Sequence, residues 1–140
     1  MAVTSIPIID LVATTPTAQA AGATDATSGA VLYSATAVAT SPHTATIAVG
    51  SVTDRLLLQV SNANTETVTF SVLGGTNPPA LRAGKGALSK TGITNGAVVY
   101  LGPFESSRHV NTSGELAVQL YGSSAGTLAV TVRAFRLPVI

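Results

Sequence analysis

From residue 30 onward, the chain is a succession of short runs in which apolar and polar side chains alternate. The clearest run is ETVTFSVL, where Val68, Phe70 and Val72 alternate with threonine and serine. Strict alternation places every second side chain on the same face of a β-strand, so one face is buried and the other meets solvent. These runs therefore predict strands.

Similar runs recur along the chain, and turn-forming residues separate them. They are TATIAVG, DRLLLQVS, ELAVQLY and TLAVTVRAFRL, with FESSRHV as a further strand candidate. The pair Asn95-Gly96, within TGITNGAVVYLG, favours a type I′ turn. About eight short antiparallel strands with a turn every 8–12 residues indicate an all-β fold, either a β-sandwich or a jelly roll.

The composition restricts the kinds of partner that the chain suits. Only 9% of its 140 residues are charged, against about 25% in an average soluble domain, and the formal net charge is +1. This balance offers no electrostatic attraction to nucleic acid or to an anionic membrane surface. No apolar run approaches the roughly 18 residues of a membrane helix. A surface so poor in charge favours association with other proteins.

Residues 1–29 differ in composition from residues 30–140, which we expect to form the β-sandwich domain. An apolar segment, MAVTSIPIIDLV, is followed by ATTPTAQAAGATDATSGA, which is almost entirely small residues. One interpretation is an unstructured terminus, because so few large side chains cannot build a core. The other is an extended arm that docks on a neighbouring subunit through the apolar residues Ile6, Ile8, Ile9 and Leu11, with the alanine- and threonine-rich part as a tether.

The stretch GGTNPPALRAGKGALSK, residues 74–90, is rich in glycine and proline. It does not match a phosphate-binding loop, because Pro79 stands where the motif needs its first glycine and Gly86 where it needs serine or threonine. A connection of this length in a small domain is usually functional or disordered. We expect a docking loop with Pro78, Pro79, Leu81 and Arg82 as candidate contact residues, or a structural crossover between two sheets.

Residues with catalytic chemistry are few. The chain has no cysteine and only two histidines, His43 and His109. If FESSRHV is a strand, then Glu105, Ser107 and His109 share one face, which is most simply an exposed polar surface. The sequence has no nucleophile elbow, no clustered metal ligands and no paired carboxylates, so we expect no catalytic, metal or cofactor site and no enzymatic activity.

Two blocks of sequence together resemble small all-β virion proteins of tailed bacteriophages. They are NPPALRAGKG and GPFESSR, within a resemblance that covers roughly residues 54–138. These virion proteins accompany the major capsid protein as head decoration (cement) proteins or minor capsid proteins. The alanine- and threonine-rich N-terminal region has no counterpart in the resemblance.

The resemblance implies a structural protein on the capsid surface of a virion. Such a protein binds the phage major capsid protein across subunit junctions, often as a homotrimer, and reinforces the shell. Three alternatives stay open: another phage structural subunit of the tail, connector or fibre; a carbohydrate-binding β-sandwich module; and, with least support, a hydrolase that uses Glu105, Ser107 and His109. Sugar binding generally relies on exposed aromatic rings, and aromatic residues of any kind make up only 4% of this chain.

Overall fold

The computed structural model describes residues 4–10, 30–33, 36–50, 53–76 and 86–137. Ten β-strands make up most of these residues. In chain order they are β1 (Thr4–Ser5), β2 (Ile8–Asp10), β3 (Ala30–Tyr33), β4 (His43–Ala48), β5 (Leu56–Asn62), β6 (Val68–Val72), β7 (Leu88–Ile93), β8 (Val98–Leu101), β9 (Glu115–Gly122) and β10 (Val130–Arg136). A 3₁₀ turn covers Thr53–Arg55, and one helical turn, α1, covers Ser106–His109.

The strands form two sheets. Sheet A has the order β1-β4-β9-β6-β7, and sheet B has the order β2-β10-β5-β8, with β3 also pairing with β10. The eight strands from β3 to β10 pair antiparallel throughout. They form two four-stranded layers, β4-β9-β6-β7 and β3-β10-β5-β8, which is the strand order of a jelly roll. The predicted all-β sandwich is therefore confirmed.

The core lies between the two sheets and is built from the inward positions of the alternating runs. Val68, Phe70 and Val72 of β6 are fully buried, as their spacing predicted. The same holds for the inward residues of four other strands: Ala45, Ile47, Leu56, Leu58, Val60, Leu116, Val118, Leu120, Val130, Val132 and Ala134. Burying these aliphatic side chains is the main favourable term for a chain with so few charges.

Residues 4–10 of the N-terminal segment pair with both sheets, whereas the two expectations were an unstructured terminus or an arm that docks on a neighbouring subunit. Strand β1 pairs in parallel with β4, and β2 pairs in parallel with β10 of the same chain. Between them, Ile6 is only 1% exposed and belongs to the core, and Ile8 packs against that core. The proposed domain boundary at residue 29 is thus wrong for residues 4–10, because burial of Ile6 makes them part of the sandwich. The side chain of Ile9 and all of Leu11 lie outside the described residues.

The Asn95-Gly96 turn also differs from the expectation. Gly96 has a φ of +76°, whereas no described residue other than glycine has a positive φ, so the turn is not type I′. It closes with a hydrogen bond of 3.0 Å from the Ala97 N–H to the Thr94 carbonyl. The strands that it joins, β7 and β8, belong to different sheets, so the turn connects the two layers instead of closing a hairpin.

The turns at this end of the sandwich converge on the buried side chain of Asn62. Its amide donates hydrogen bonds of 2.8 Å to the carbonyls of Glu66 and Ile93. The Glu66 carboxylate in turn accepts a bond of 2.7 Å from the Ser124 hydroxyl, which is the first of the contacts that lower the pKa of Glu66. The end of the sandwich that carries these turns is therefore extensively cross-linked.

Candidate docking surfaces

The two described ends of the glycine- and proline-rich stretch, residues 74–76 and 86–87, lie at the opposite end of the sandwich. Three connections begin and end there, residues 49–55, 73–87 and 102–114, and we call this region the loop end. Backbone hydrogen bonds join them: the Phe104 N–H donates to the Thr53 carbonyl at 3.0 Å, and the Val49 N–H donates to the Gly114 carbonyl at 3.1 Å. These bonds join the described parts of the first and third connections.

The segment FESSRHV at the loop end is not a strand. Residues Ser106–His109 form one helical turn, closed by a hydrogen bond of 3.0 Å from the Val110 N–H to the Ser106 carbonyl. The expected exposed polar strand face of Glu105, Ser107 and His109 is therefore wrong. Residues two apart lie about 200° apart around a helix, so they do not share a face.

His109 is a buried structural residue at the base of this turn. It is 3% exposed, and its ring packs edge-on against Phe104 with a centroid separation of 5.8 Å. Its Nδ1 lies 2.9 Å from the carbonyl oxygen of Leu73, which can only accept, so Nδ1 carries the proton. Desolvation lowers the pKa of His109, the Arg108 charge lowers it further, and the Leu73 contact opposes both. Folding thus favours the neutral form of the imidazole.

The first end of the glycine- and proline-rich connection is fixed to α1 at Gly75. Its N–H donates a hydrogen bond of 2.7 Å to the Arg108 carbonyl. A Cβ on Gly75 would overlap the Val110 carbonyl oxygen and would lie 2.8 Å from the Val110 carbonyl carbon. Only glycine therefore allows the two backbones to approach so closely. The neighbouring Thr76 hydroxyl accepts a bond of 3.0 Å from the Thr112 N–H.

The second end of the connection returns to the same place. The Arg108 guanidinium reaches the Gly86 carbonyl at 3.4 Å. A Cβ built on Gly74 would lie 3.8 Å from that same carbonyl oxygen, so the two ends of the connection lie side by side. Strands β6 and β7, which the connection joins, are neighbours within sheet A. The alternative of a crossover between sheets is therefore wrong, because the connection joins two neighbouring strands of one sheet.

The centre of this connection contains the candidate contact residues from the sequence. Residues 77–85, which include Pro78, Pro79, Leu81 and Arg82, lie outside the described residues. The structure shows how the residues that flank them are held. Gly75, Thr76 and Gly86 all form hydrogen bonds with residues of the segment 104–112. Sequence reasoning identified the loop but not its base, because the contacts of α1 with Gly75 and Gly86 are long-range.

A second candidate surface lies along the edge strands β7 and β8. Among the described residues, the large hydrophobic side chains that are exposed are Leu88, Val98 and Tyr100, at 39%, 48% and 57%. All three lie on these two strands. The Tyr100 ring is held in place, because its hydroxyl accepts a hydrogen bond of 2.7 Å from the Gln59 amide. Leu88 belongs to sheet A, whereas Val98 and Tyr100 belong to sheet B, and we refer to the three residues together as the edge patch.

Sequence reasoning did not single out the edge patch, although a signal for it was present. The run AVVYL is apolar at consecutive positions, so that Val99 and Leu101 can face the core while Val98 and Tyr100 face outward. A strand that is apolar on both faces is either covered on both sides or has an exposed apolar face. The outward face here is one from which a partner could exclude water.

Comparisons with protein families, with characterised proteins and with solved structures find no significant match to this chain. Within the described residues, no three histidine, cysteine, aspartate or glutamate side chains are grouped so as to hold a metal ion. No helix among those residues has the length and apolar character needed to cross a bilayer.

Proposed function

We propose that this chain is a non-enzymatic structural virion protein that binds the outside of a bacteriophage capsid and stabilises the shell at subunit junctions. Its partner is the major capsid protein, and the loop end is the part that contacts the shell. The observation that carries the proposal is that both ends of the glycine- and proline-rich loop are hydrogen-bonded to the segment 104–112. Residues 77–85 are therefore held at both ends by the same part of the fold.

A loop whose two ends are already fixed loses less conformational entropy when it docks on a partner. Binding a partner costs conformational entropy for every residue that must be ordered, and fixing the loop ends in advance reduces that cost. The loop contains Pro78 and Pro79, whose rings restrict φ and limit the conformations to be lost. Leu81 and Arg82 at its centre are residue types that supply apolar burial and directed hydrogen bonds at interfaces.

The low content of charged residues supports the same proposal. Exposed ion pairs contribute little to binding, whereas buried apolar and backbone contacts contribute more. A protein present in many copies on a symmetric shell gains avidity from repeated weak contacts, particularly if the copies also contact each other. The edge patch of Leu88, Val98 and Tyr100 offers apolar area for such contacts between copies or with the shell.

The jelly-roll fold is compatible with this proposal but does not decide it. Jelly rolls occur in viral capsid proteins, in lectins and in several enzyme families. The support comes instead from the resemblance of the NPPALRAGKG and GPFESSR blocks to phage head proteins. The GPFESSR block lies at the loop end, and its Arg108 is hydrogen-bonded to Gly75 and Gly86, which flank residues 77–85 of the other block.

Co-sedimentation with phage heads tests the proposal. Heads of the phage that encodes this chain, prepared from a mutant lacking the gene, are mixed with the purified protein and pelleted. The wild-type protein is expected to pellet with the heads at saturable stoichiometry. The double variant L81A/R82A is expected to lose most of this binding, because it removes the two large side chains at the centre of the loop.

A control variant separates loss of docking from loss of folding. T65A/S123A changes two exposed side chains at the opposite end of the sandwich and should bind heads as the wild type does. Absence of binding by the wild-type protein would refute the capsid proposal. Equal loss of binding in both variants would refute the assignment of the loop end as the contact surface.

A carbohydrate-binding module is the second candidate, and the observation that favours it is Tyr100. This ring is 57% exposed and is fixed by Gln59, and a fixed, exposed aromatic ring can stack on a sugar. A glycan array distinguishes the two functions, because wild-type binding that is lost in Tyr100→Ala would favour the carbohydrate module. A tail, connector or fibre role is distinguished by the part of the virion to which the protein binds.

A further inference from the structure

The segment of residues 4–10, containing β1 and β2, is an addition to the jelly roll, and we call it the strap. The eight strands from β3 to β10 already form both layers without it. The strap crosses from one sheet to the other: β1 pairs with β4 at the edge of sheet A, and β2 pairs with β10 of sheet B. Both pairings are parallel, in contrast to the antiparallel jelly-roll strands.

The strap shares one edge of β10 with β3. Ile8 lies opposite Ala134, and Ala30 lies opposite the adjacent residue Arg133. The chain between the strap and β3 has to connect only Asp10, opposite Arg136, with Ala30. These two points are three residues apart along β10, which corresponds to about 10 Å. A short connection would therefore suffice to join β2 and β3 within one chain.

The actual connection is far longer than this distance requires. Residues 11–29 lie between the two strands, whereas most connections in compact domains have about 4–6 residues. Fully extended, such a stretch reaches about 65 Å. A domain of this size has a radius of gyration of about 14 Å and is therefore about 35 Å across. The stretch is long enough to let the strap of one copy reach the β4 and β10 edges of an adjacent copy.

The strap binds the sandwich through both an apolar side chain and the backbone. Ile6 fills a position in the core, and its N–H donates a hydrogen bond of 2.9 Å to the Thr46 carbonyl of β4. These contacts are the same whether the strap belongs to the same chain or to another copy. Exchange of an identical element is a low-cost route to an oligomer, since no new interface has to be created.

We propose that the strap is exchanged between copies of this chain, with β1 and β2 of one copy pairing with β4 and β10 of the next. Each copy then donates a strap and receives one, so that the oligomer is linked through buried Ile6 side chains. This inference does not rest on capsid binding, and the two can fail separately. It modifies the expectation of an arm that docks on a neighbouring subunit, because the acceptor is the strap's own binding site on another copy.

Cysteine cross-linking tests the exchange, and the absence of native cysteine leaves only the introduced thiols. Ser5 of β1 is paired with Thr46 of β4. S5C chains are mixed with T46C chains that carry a size tag, refolded together from denaturant and oxidised. A covalent heterodimer, identified by its mass on a non-reducing gel, forms efficiently only if Ser5 of one copy lies against Thr46 of another.

The control pair uses the same Thr46 position. Thr46 is also paired with Ala117 of β9, which belongs to the jelly roll itself. Mixed T46C and A117C chains thus report only chance collision. Exchange predicts at least about tenfold more heterodimer from S5C with T46C than from the control, because paired residues have an effective concentration near the millimolar range. An equal yield from both mixtures, or a double S5C/T46C variant that cross-links only within single chains, would overturn the proposal.

Discussion

The Nδ1 atom of His109 lies 2.9 Å from the carbonyl oxygen of Leu73, and this hydrogen bond joins α1 to the end of β6. Leu73 immediately precedes the stretch that we propose as the docking element. Because the ring is buried against Phe104, its protonation would place a charge in an apolar site close to the Arg108 guanidinium. We therefore expect protonation of His109 to weaken the contact between α1 and the end of β6.

His109 is expected to make the protein less stable in mild acid. Its pKa is below the ordinary value of 6.5 in the folded state, chiefly through desolvation, so the unfolded chain binds the proton more tightly. The free energy of unfolding should be constant with respect to His109 above pH 6.5 and fall as the pH drops from 6.5 toward the folded-state pKa. Urea unfolding between pH 5 and 8 measures this. A His109→Gln variant with an unchanged pH dependence would contradict the assignment.

Gly75 and Gly74 form a matched pair for testing the loop base. Gly75→Ala should lower the free energy of unfolding by about 1–3 kcal/mol, because its Cβ overlaps the Val110 carbonyl. Gly74→Ala should change it by less than about 0.5 kcal/mol, because its Cβ meets only ordinary contacts. Urea denaturation of the two variants checks both values. Similar effects at the two positions would mean that the loop end is not packed as described.

Ile6 should contribute to stability as a core residue does. Ile6→Ala is expected to cost about 2–5 kcal/mol, since it removes a fully buried aliphatic side chain. The adjacent Ser5→Ala, at an exposed position, should stay within about 0.5 kcal/mol of the wild type. Thermal or urea unfolding provides the comparison. A neutral Ile6→Ala would restore the interpretation of residues 1–29 as an unattached terminus.

The buried hydroxyl of Tyr33 has no hydrogen-bond partner within the described part of the chain. Burial raises the pKa of Tyr33 to about 12. Tyr33→Phe should therefore leave stability unchanged or raise it, because an unpaired buried polar group costs about 1–3 kcal/mol. Tyr100→Phe is the contrasting variant and should lose about 1 kcal/mol with its Gln59 hydrogen bond. Denaturation curves showing a larger loss for Tyr33→Phe would reveal a partner for that hydroxyl.

Strands with strict alternation could be predicted from the sequence, because burial of one strand face requires an apolar side chain at every second position. Val68, Phe70 and Val72 are an example, and all three are fully buried. Turn chemistry was less informative. Asn95-Gly96 resembles a hairpin turn, but its flanking strands pair with β6 and β5, which a local signal does not reveal.

Only part of the candidate docking surface could be predicted from the sequence, because local composition is visible in a sequence and long-range contacts are not. The glycine and proline content of residues 74–90 identified a special connection, but its base depends on a helical turn of four residues. Such a turn is too short to display the 3.6-residue period of a helix. One interpretation of Ile6 was that it anchors an arm on a neighbouring subunit, yet the sequence could not say that its binding site is the core of this same sandwich fold, because pairing between distant strands leaves no local pattern.

Cryo-electron microscopy of the virion tests the central claim most directly. A difference map between wild-type heads and heads lacking the gene should show added density on the outer surface of the capsid, of a size that fits this jelly roll. The account predicts that the loop end, with residues 74–90, faces the shell. Added density only on the tail, no added density, or a docked molecule with the Asn62 end toward the shell would contradict it.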